Sequence, residues 1–281
     1  MKKCVIIVGP TASGKSDLAV QVAQAGQGCV VNADSMQIYR DLRLISARPT
    51  PAQTALVPHF LYGYADAYTP NSVQDWLNRV VPVLQAAPNP VIVGGTGLYI
   101  TALINGLNIM PDIPPEIRTR ARQTDLQDIH KCLPEFPYTD PQRLRRAYEV
   151  WLATGKPISY FQNQPKHSPF PADYRVIFIQ PPRDQLYARC DRRFHQMIEQ
   201  GGIEEVRHLM SLHPTGGVLK AIGVPEIMAY LNGELTRDQM ITQALLSTRH
   251  YAKRQLTWFR HQIRADHILT DPSEFSADMI A

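Results

Sequence analysis

The octapeptide Gly9-Pro10-Thr11-Ala12-Ser13-Gly14-Lys15-Ser16 constrains this chain more than any other stretch. It follows Val5-Ile6-Ile7-Val8, a short apolar run that reads as a buried strand. After it, Leu18, Ala19, Val22 and Ala23 recur at helical spacing. A glycine-rich loop between a strand and a helix is the setting of a phosphate-binding P-loop. The glycines let backbone N–H groups turn inward as an anion nest. The helix start adds unpaired donors and the positive end of its dipole. Lys15 supplies a cation for phosphate oxygens, and the Ser16 hydroxyl is a candidate Mg²⁺ ligand.

The chain as a whole narrows the class. Its 281 residues suffice for one large α/β domain with an insertion. A hydrophobic content of 44% is ordinary for a globular protein. No segment approaches the ~20 apolar residues of a membrane span, and Met1-Lys2-Lys3 leads into the first strand without a signal-peptide pattern. The 4 cysteines, Cys4, Cys29, Cys132 and Cys190, stand apart, which fits a reducing cytoplasm better than a disulfide framework or a zinc site. A net charge of +4 is compatible with a nucleic-acid partner.

Residues 28–32 read as a second strand, running out into Ala33-Asp34-Ser35-Met36-Gln37. In doubly wound sheets, ligands lie beyond the carboxyl ends of the strands. Asp34, Ser35 and Gln37 are therefore expected near the phosphate site. From placement alone, Asp34 serves equally well as a turn or capping residue. Leu56 to Tyr64 is an ambiguous apolar stretch. Ser72 to Leu84 reads as a helix with Val73, Trp76, Leu77, Val80 and Leu84 on one face. Val91-Ile92-Val93 is another buried strand, but it ends in Gly94-Gly95-Thr96-Gly97. A nucleotide hydrolase usually carries an acidic Mg²⁺ partner near such a position. The glycines instead leave room for a ligand, and Thr96 offers a hydroxyl.

From Asn105 the texture changes to a proline-rich linker and then basic helical segments, so residues 105–165 read as a small helical insertion. Arg118, Arg120 and Arg122 fall in the first segment. In the second, Leu144, Ala147, Tyr148, Trp151 and Leu152 form the buried stripe, flanked by Arg143, Arg145 and Arg146. Residues 174–179 close the sheet. Arg189, Arg192 and Arg193 crowd the next helix. Thr236 with Gln239 forms a capping box opening the longest helix. There Ile241, Ala244, Leu245, Thr248, Ala252, Leu256 and Phe259 share a face, and Arg249, Lys253, Arg260 and Arg264 form an adjacent stripe. That stripe is either a solvated face or a track for a phosphate backbone.

Several separated stretches together resemble the tRNA dimethylallyltransferases. They are Gly9–Ser16, Asn32–Arg40, Gly94–Tyr99, Asp140–Arg146, Thr154–Pro157 and Tyr251–Arg260, in order over most of the chain. The resemblance implies a P-loop NTPase-like core of parallel sheet flanked by helices, with a helical insertion. It implies transfer of a dimethylallyl group from dimethylallyl pyrophosphate to N6 of an adenine beside the tRNA anticodon, with Mg²⁺. Carried over by position, Asp34 is the general base. Pyrophosphate contacts fall on Thr11 to Ser16 and Arg193. Contacts to the anticodon stem-loop fall on Asp34–Gln37, Thr96, Arg118, Gln142–Arg146 and Lys220–Pro225, including Gly223. The chain departs from the family pattern where Val224 and Pro225 replace an aromatic and a basic residue, and where Phe60 replaces a histidine. The expected protein is a cytoplasmic monomer. Its expected core is 1–104 with 166–281.

Rival readings share the P-loop. A small-molecule kinase would use ATP, with Asp34 activating a hydroxyl. A prenyltransferase acting on free adenine nucleotide would need no basic insertion. An RNA-binding module without catalysis would gain nothing from a carboxylate beside its phosphate clamp.

Overall fold

The computed structural model describes residues 1–137 and 140–280. They divide into two compact units, Met1–Ile104 with Pro169–Ala281, and Asn105–Ser168. The larger unit is a six-stranded sheet in the order β3-β2-β4-β1-β5-β6. Its strands are β1 (Lys3–Val8), β2 (Cys29–Asn32), β3 (His59–Phe60), β4 (Pro90–Gly94), β5 (Asp173–Ile179) and β6 (His267–Leu269). Every pairing is parallel. Parallel sheets are covered on both faces. Accordingly Ile6, Ile7, Val8, Val31, Ile92, Val93, Ile177 and Ile179 are all buried.

Helices α1 (Lys15–Ala25), α2 (Pro51–Leu56), α3 (Val73–Ala86) and α4 (Gly97–Asn105) belong to the first half of the chain. The apolar positions after the glycine loop become the core face of α1, with Leu18, Ala19, Val22 and Ala23 buried. Ser72 caps α3 in a full capping box with Asp75. Sequence periodicity does not announce α2, a short helix started by the Thr50–Gln53 capping box. Nor does it announce α4, which lacks a polar face because Tyr99, Ile100, Ala102 and Leu103 all enter the core.

The smaller unit holds α5 (Pro115–Gln123), α6 (Leu126–Cys132), α7 (Pro141–Thr154) and α8 (Ile158–Gln162). Its core is Ala121, Ile129, Leu144 and Tyr148, with Trp151 and Leu152 packed at the margin. Val150, outside the expected stripe, is also buried. Back in the larger unit, α9 (Arg183–Glu199), α10 (Gly202–Ser211), α11 (Val224–Leu231) and α12 (Arg237–Gln262) complete the structure. The α12 start is the expected Thr236–Gln239 capping box. Its buried line runs Met240, Ala244, Thr248, Ala252, Gln255, Leu256, Phe259, while Ile241 and Leu245 are only partly covered. Among the described residues no helix is long and apolar enough to cross a membrane.

Parallel register decides where a site can form. Val8 is level with Gly94, and Asn32 with Val93, so β1, β2 and β4 end on one edge. That edge is packed tightly. A Cβ on Gly94 would stand 2.1 Å from the Ala33 carbonyl oxygen and 2.2 Å from its carbon. Backbone cannot yield as a side-chain tip does. Gly94→Ala is therefore expected to lower unfolding stability by about 1–3 kcal/mol or more, the range of an overpacked core. Urea denaturation followed by circular dichroism measures it.

Candidate active site

The loop after β1 carries its backbone into the left-handed region twice, at Ala12 (φ 61°) and Gly14 (φ 87°). Glycine suits the second position, and a Cβ there would also meet Pro272 Cγ at 2.7 Å. Gly9 and Pro10 are buried at the base of the loop. The segment Ala12–Asp17 borders a cavity of about 570 Å³, faced by Arg43, Arg48, Arg189, Arg192 and Arg193. Asp17 lines the same cavity and Arg189 pairs with Asp271 at 2.8 Å, but the remaining cations beside a helix N-terminus make the space a candidate anion site. Ser16 lines the same cavity.

Lys15 and Arg193 are half-buried cations whose charge desolvation disfavours. Lys15 Nζ donates to the Pro10 carbonyl at 3.1 Å. Loss of hydration pulls its pKa down to about 8; the charge of Asp34 opposes that and Arg193 adds to it. Arg193, from α9, donates to the Thr11 hydroxyl. Desolvation also lowers its pKa, against the attraction of Cys190 and Asp34. The neighbouring Cys190 thiol donates to the Thr11 carbonyl at 3.8 Å.

The second half of the site follows β2. Asn32 is fully buried, and its side chain holds the turn beyond it. Its Oδ1 accepts from Asp34 N at 2.9 Å, and its Nδ2 donates to the Asp34 and Leu61 carbonyls, each at 3.0 Å. Trp76 Nε1 anchors the Asn32 carbonyl at 2.8 Å. Asp34 Oδ1 accepts from Met36 N at 2.9 Å, an Asx turn. The turn role and a site role therefore coexist, because Oδ2 lies on the side of Gly95, 3.4 Å from where a Cβ there would stand. Thr96 Oγ1 accepts from Ser35 N at 2.9 Å and meets Ser35 Oγ at 3.2 Å. Thr96 thus pins the β2 turn to the β4 turn.

Thr11, Asp34, Ser35, Met36, Arg193, Lys220 and Tyr251 line one cavity of about 270 Å³. Arg193 and Met197 also line the anion cavity, so the two spaces meet there. The Tyr62 and Tyr251 phenols are pushed up in pKa by burial and by Asp34, and stay protonated beside it.

Several expected contact residues have other work. Gln37 spends its amide N–H groups on the carbonyls of Ser46 (3.0 Å) and Ala47 (2.9 Å). Gly223 is buried with φ 95°, and its N–H donates to Glu226 at 3.0 Å. It starts α11 and offers no surface to a nucleic acid. Leu144 is fully buried in the core of the smaller unit, which removes it as a contact. Arg145 Nη1 caps the end of α5 through the carbonyls of Ala121, Arg122 and Thr124, at 2.5, 3.0 and 2.9 Å. Arg146 pairs with Glu149 at 3.1 Å. Arg118, Gln142 and Arg143 are exposed. On α12 the basic stripe is broken. Arg249 makes a two-pronged pair with Asp191, Arg260 Nε donates to Gln180 at 3.1 Å, and Arg264 lies past the helix end. Lys253 remains exposed.

The sequence reading missed Gln255. It is 5% exposed. Its Oε1 accepts from Thr11 N at 2.8 Å, and its Nε2 donates to the Gly95 carbonyl at 2.9 Å. The signal was there: Gln255 lies three residues after Ala252 and four before Phe259, a polar group on an apolar face.

A phosphate loop facing a carboxylate turn, on the edge of a doubly wound sheet, defines a transferase-like P-loop cleft. The family model described as IPP transferase matches residues 37–262, and that described as isopentenyl transferase matches residues 2–60. The chain belongs to the IPP transferase family. A tRNA dimethylallyltransferase of Chelativorans sp. is 44% identical over 285 residues, 95% of this chain and 98% of that one. One from Rhodopseudomonas palustris is 43% identical, over 92% of this chain and 87% of the relative. The full-length tRNA isopentenylpyrophosphate transferase of Bacillus halodurans superposes with a TM-score of 0.73 at 30% identity, covering 99% and 92% of the two chains. A eukaryotic dimethylallyltransferase solved acting on tRNA gives a TM-score of 0.79 at 26% identity, over 92% of this chain and 70% of that one.

The lowered pKa of Lys15 has a measurable consequence. Above about pH 8 the free protein holds this side chain increasingly neutral. A bound pyrophosphate favours the charged form, so binding takes up a proton and affinity falls as pH rises past that value. Calorimetry with dimethylallyl pyrophosphate, in buffers of different ionisation enthalpy, is expected to register this uptake. Lys15→Met should abolish it.

Proposed function

We propose that the chain transfers the dimethylallyl group of dimethylallyl pyrophosphate to N6 of the adenosine 3′ to the anticodon in tRNA. The observation that carries this reading is the joining of an anion loop and a carboxylate turn through cavities that share Arg193. A hydrolase needs water beside its phosphate; a prenyl transfer needs a base at the far end of the allyl group. Asp34 stands at that end.

The chemistry follows from the groups present. Adenine N6 is a poor nucleophile, because its lone pair is delocalised into the ring. The target adenine leaves its stack and enters the smaller cavity. Asp34 Oδ2 accepts a hydrogen bond from the amine and takes its proton as the C–N bond forms. The allylic C–O bond breaks, and its electron pair leaves on pyrophosphate. Loop N–H groups, Lys15 and Arg193 receive that charge. They are already desolvated and aimed at the loop, so little reorganisation is needed. Thr96 acts by holding Ser35, and through it the carboxylate turn.

The donor set at the loop fits a hard divalent cation. Ser16 supplies a neutral oxygen, while among the described residues no group of three or more His, Cys, Asp or Glu could hold a metal. Ser16 would be the protein's ligand to Mg²⁺, the remaining positions being left to phosphate oxygens and water. When bound, it supplies further charge stabilisation to the leaving pyrophosphate. In the larger unit, exposed Lys253 and Lys220 at the cavity support a tRNA anticodon stem-loop as the acceptor; the smaller unit by itself exposes Arg118 and Arg143. We place the protein in the cytoplasm as a monomer, a state that light scattering would report.

Asp34→Asn separates this role from turn formation. Asparagine keeps the oxygen that accepts from Met36 N, so the fold is expected to survive. The single-turnover rate at saturating tRNA is expected to fall ~10²–10⁴-fold. Binding of tRNA should change little, because phosphate contacts supply most of its affinity. A variant that binds tRNA and reacts at the wild-type rate would remove Asp34 from the chemistry.

A further inference from the structure

The stretch Tyr251–Arg260 is the most distinctive part of the chain after the loop, yet the reaction described above uses little of it. Its centre is Gln255. A buried glutamine in an apolar face must have both ends of its amide satisfied. Here one end is Thr11 N, in the phosphate loop, and the other is the Gly95 carbonyl, in the β4 turn. Thr11 is the residue through which the loop enters the smaller cavity, and its hydroxyl holds Arg193. Gly95 precedes Thr96, which holds Ser35, next to Asp34. The Gln255 amide is thus a single rigid spacer between the donor half and the acceptor half of the site.

We propose that Gln255 is a positioning residue that fixes the separation of the pyrophosphate loop and the Asp34 turn, and so the distance between donor carbon and acceptor nitrogen. This rests on the prenyl-transfer reading. The fit around the amide is close: a Cβ on Gly95 would stand 2.2 Å from Nε2. The geometry also explains glycine at position 95, since any larger residue would drive the amide away. Bringing reactants into register is worth much, and a displacement of about 1 Å costs roughly 10²-fold in rate.

The test uses Gln255→Met, which keeps length and loses both hydrogen bonds. It also uses Gln255→Glu, which keeps an acceptor for Thr11 N but sets a carboxylate oxygen against the Gly95 carbonyl. Gly95→Ala displaces the same amide from the other side, its methyl resting in ordinary van der Waals contact, 3.4 Å, with Asp34 Oδ2. Label transfer is measured in single turnover with both substrates saturating, alongside each dissociation constant. The expected result is a rate lowered ~10²-fold with both dissociation constants little changed. Combining Gly95→Ala with Gln255→Met should cost nothing further, because both break one spacer. A near-wild-type rate in any of the three folded single variants would overturn the proposal, and so would independent, additive losses in the pair. So would weakened binding with an unchanged rate of the bound complex, the mark of a merely structural role. If the unaltered protein labels no tRNA, the functional reading fails; if it labels tRNA and Gln255→Met does so equally fast, only this inference fails.

Discussion

Lys15 and Arg193 are two half-buried cations facing one carboxylate, Asp34, and the rest of the cleft depends on that balance. Desolvation lowers the pKa of both cations, and their mutual repulsion lowers that of Lys15 further. At Lys15 the attraction of Asp34 outweighs that repulsion but not the desolvation. An anion entering the loop would relieve the repulsion, and under the proposed transfer a leaving pyrophosphate would relieve it more as negative charge develops. Preorganised charge in a poorly hydrated site acts strongly because it does not have to be reoriented during the reaction.

Holding that arrangement is the work of the sheet. Parallel strands deliver the phosphate loop, the Asp34 turn and the Gly94-Gly95 turn to a single edge. The two turns are tied by Thr96 and Ser35. The backbone approach of Gly94 to Ala33 leaves no room for a side chain between them. Helix α12 then crosses that edge, contributing Tyr251 to the cavity wall, Gln255 between the turns and Phe259 to the core. A helix of 26 residues can do this because its covered face is continuous, and the two polar residues on that face are satisfied: Thr248 Oγ1 donates to the Ala244 carbonyl, and both ends of the Gln255 amide are paired.

Local features were legible in the sequence and long-range partners were not. The glycine loop, the buried strands and the Thr236 cap depend on neighbours within a few residues, so pattern alone located them. Strand polarity puts Asp34 near the phosphate loop without separating a site role from a turn role; the structure shows the Asx turn and Asp34 in the cavity lining. Periodicity put Leu144 in a buried stripe, while family position put it on the RNA; burial decides for the core. Arg145 looked like a surface cation until α5 supplied carbonyls for it, more than twenty positions away in the chain. Arg249 likewise found Asp191 across the fold. Gln255 is the sharpest case, because its partners lie 244 and 160 positions away. No local window contains them. Helix α4 escaped for a different reason: its less covered side carries Leu98 and Ile104, so apolar residues on both sides leave no amphipathic period to detect.

The central claim is that this cleft carries a prenyl group from a pyrophosphate to a tRNA adenine. The direct measurement incubates the protein with Mg²⁺, isotopically labelled dimethylallyl pyrophosphate, and either unmodified tRNA or AMP, followed by digestion and mass spectrometry of the nucleosides. The account predicts label in tRNA alone, on the adenosine immediately 3′ to the anticodon, and none on AMP. Label on AMP with tRNA untouched, or release of phosphate from ATP with no response to the prenyl donor, would contradict it.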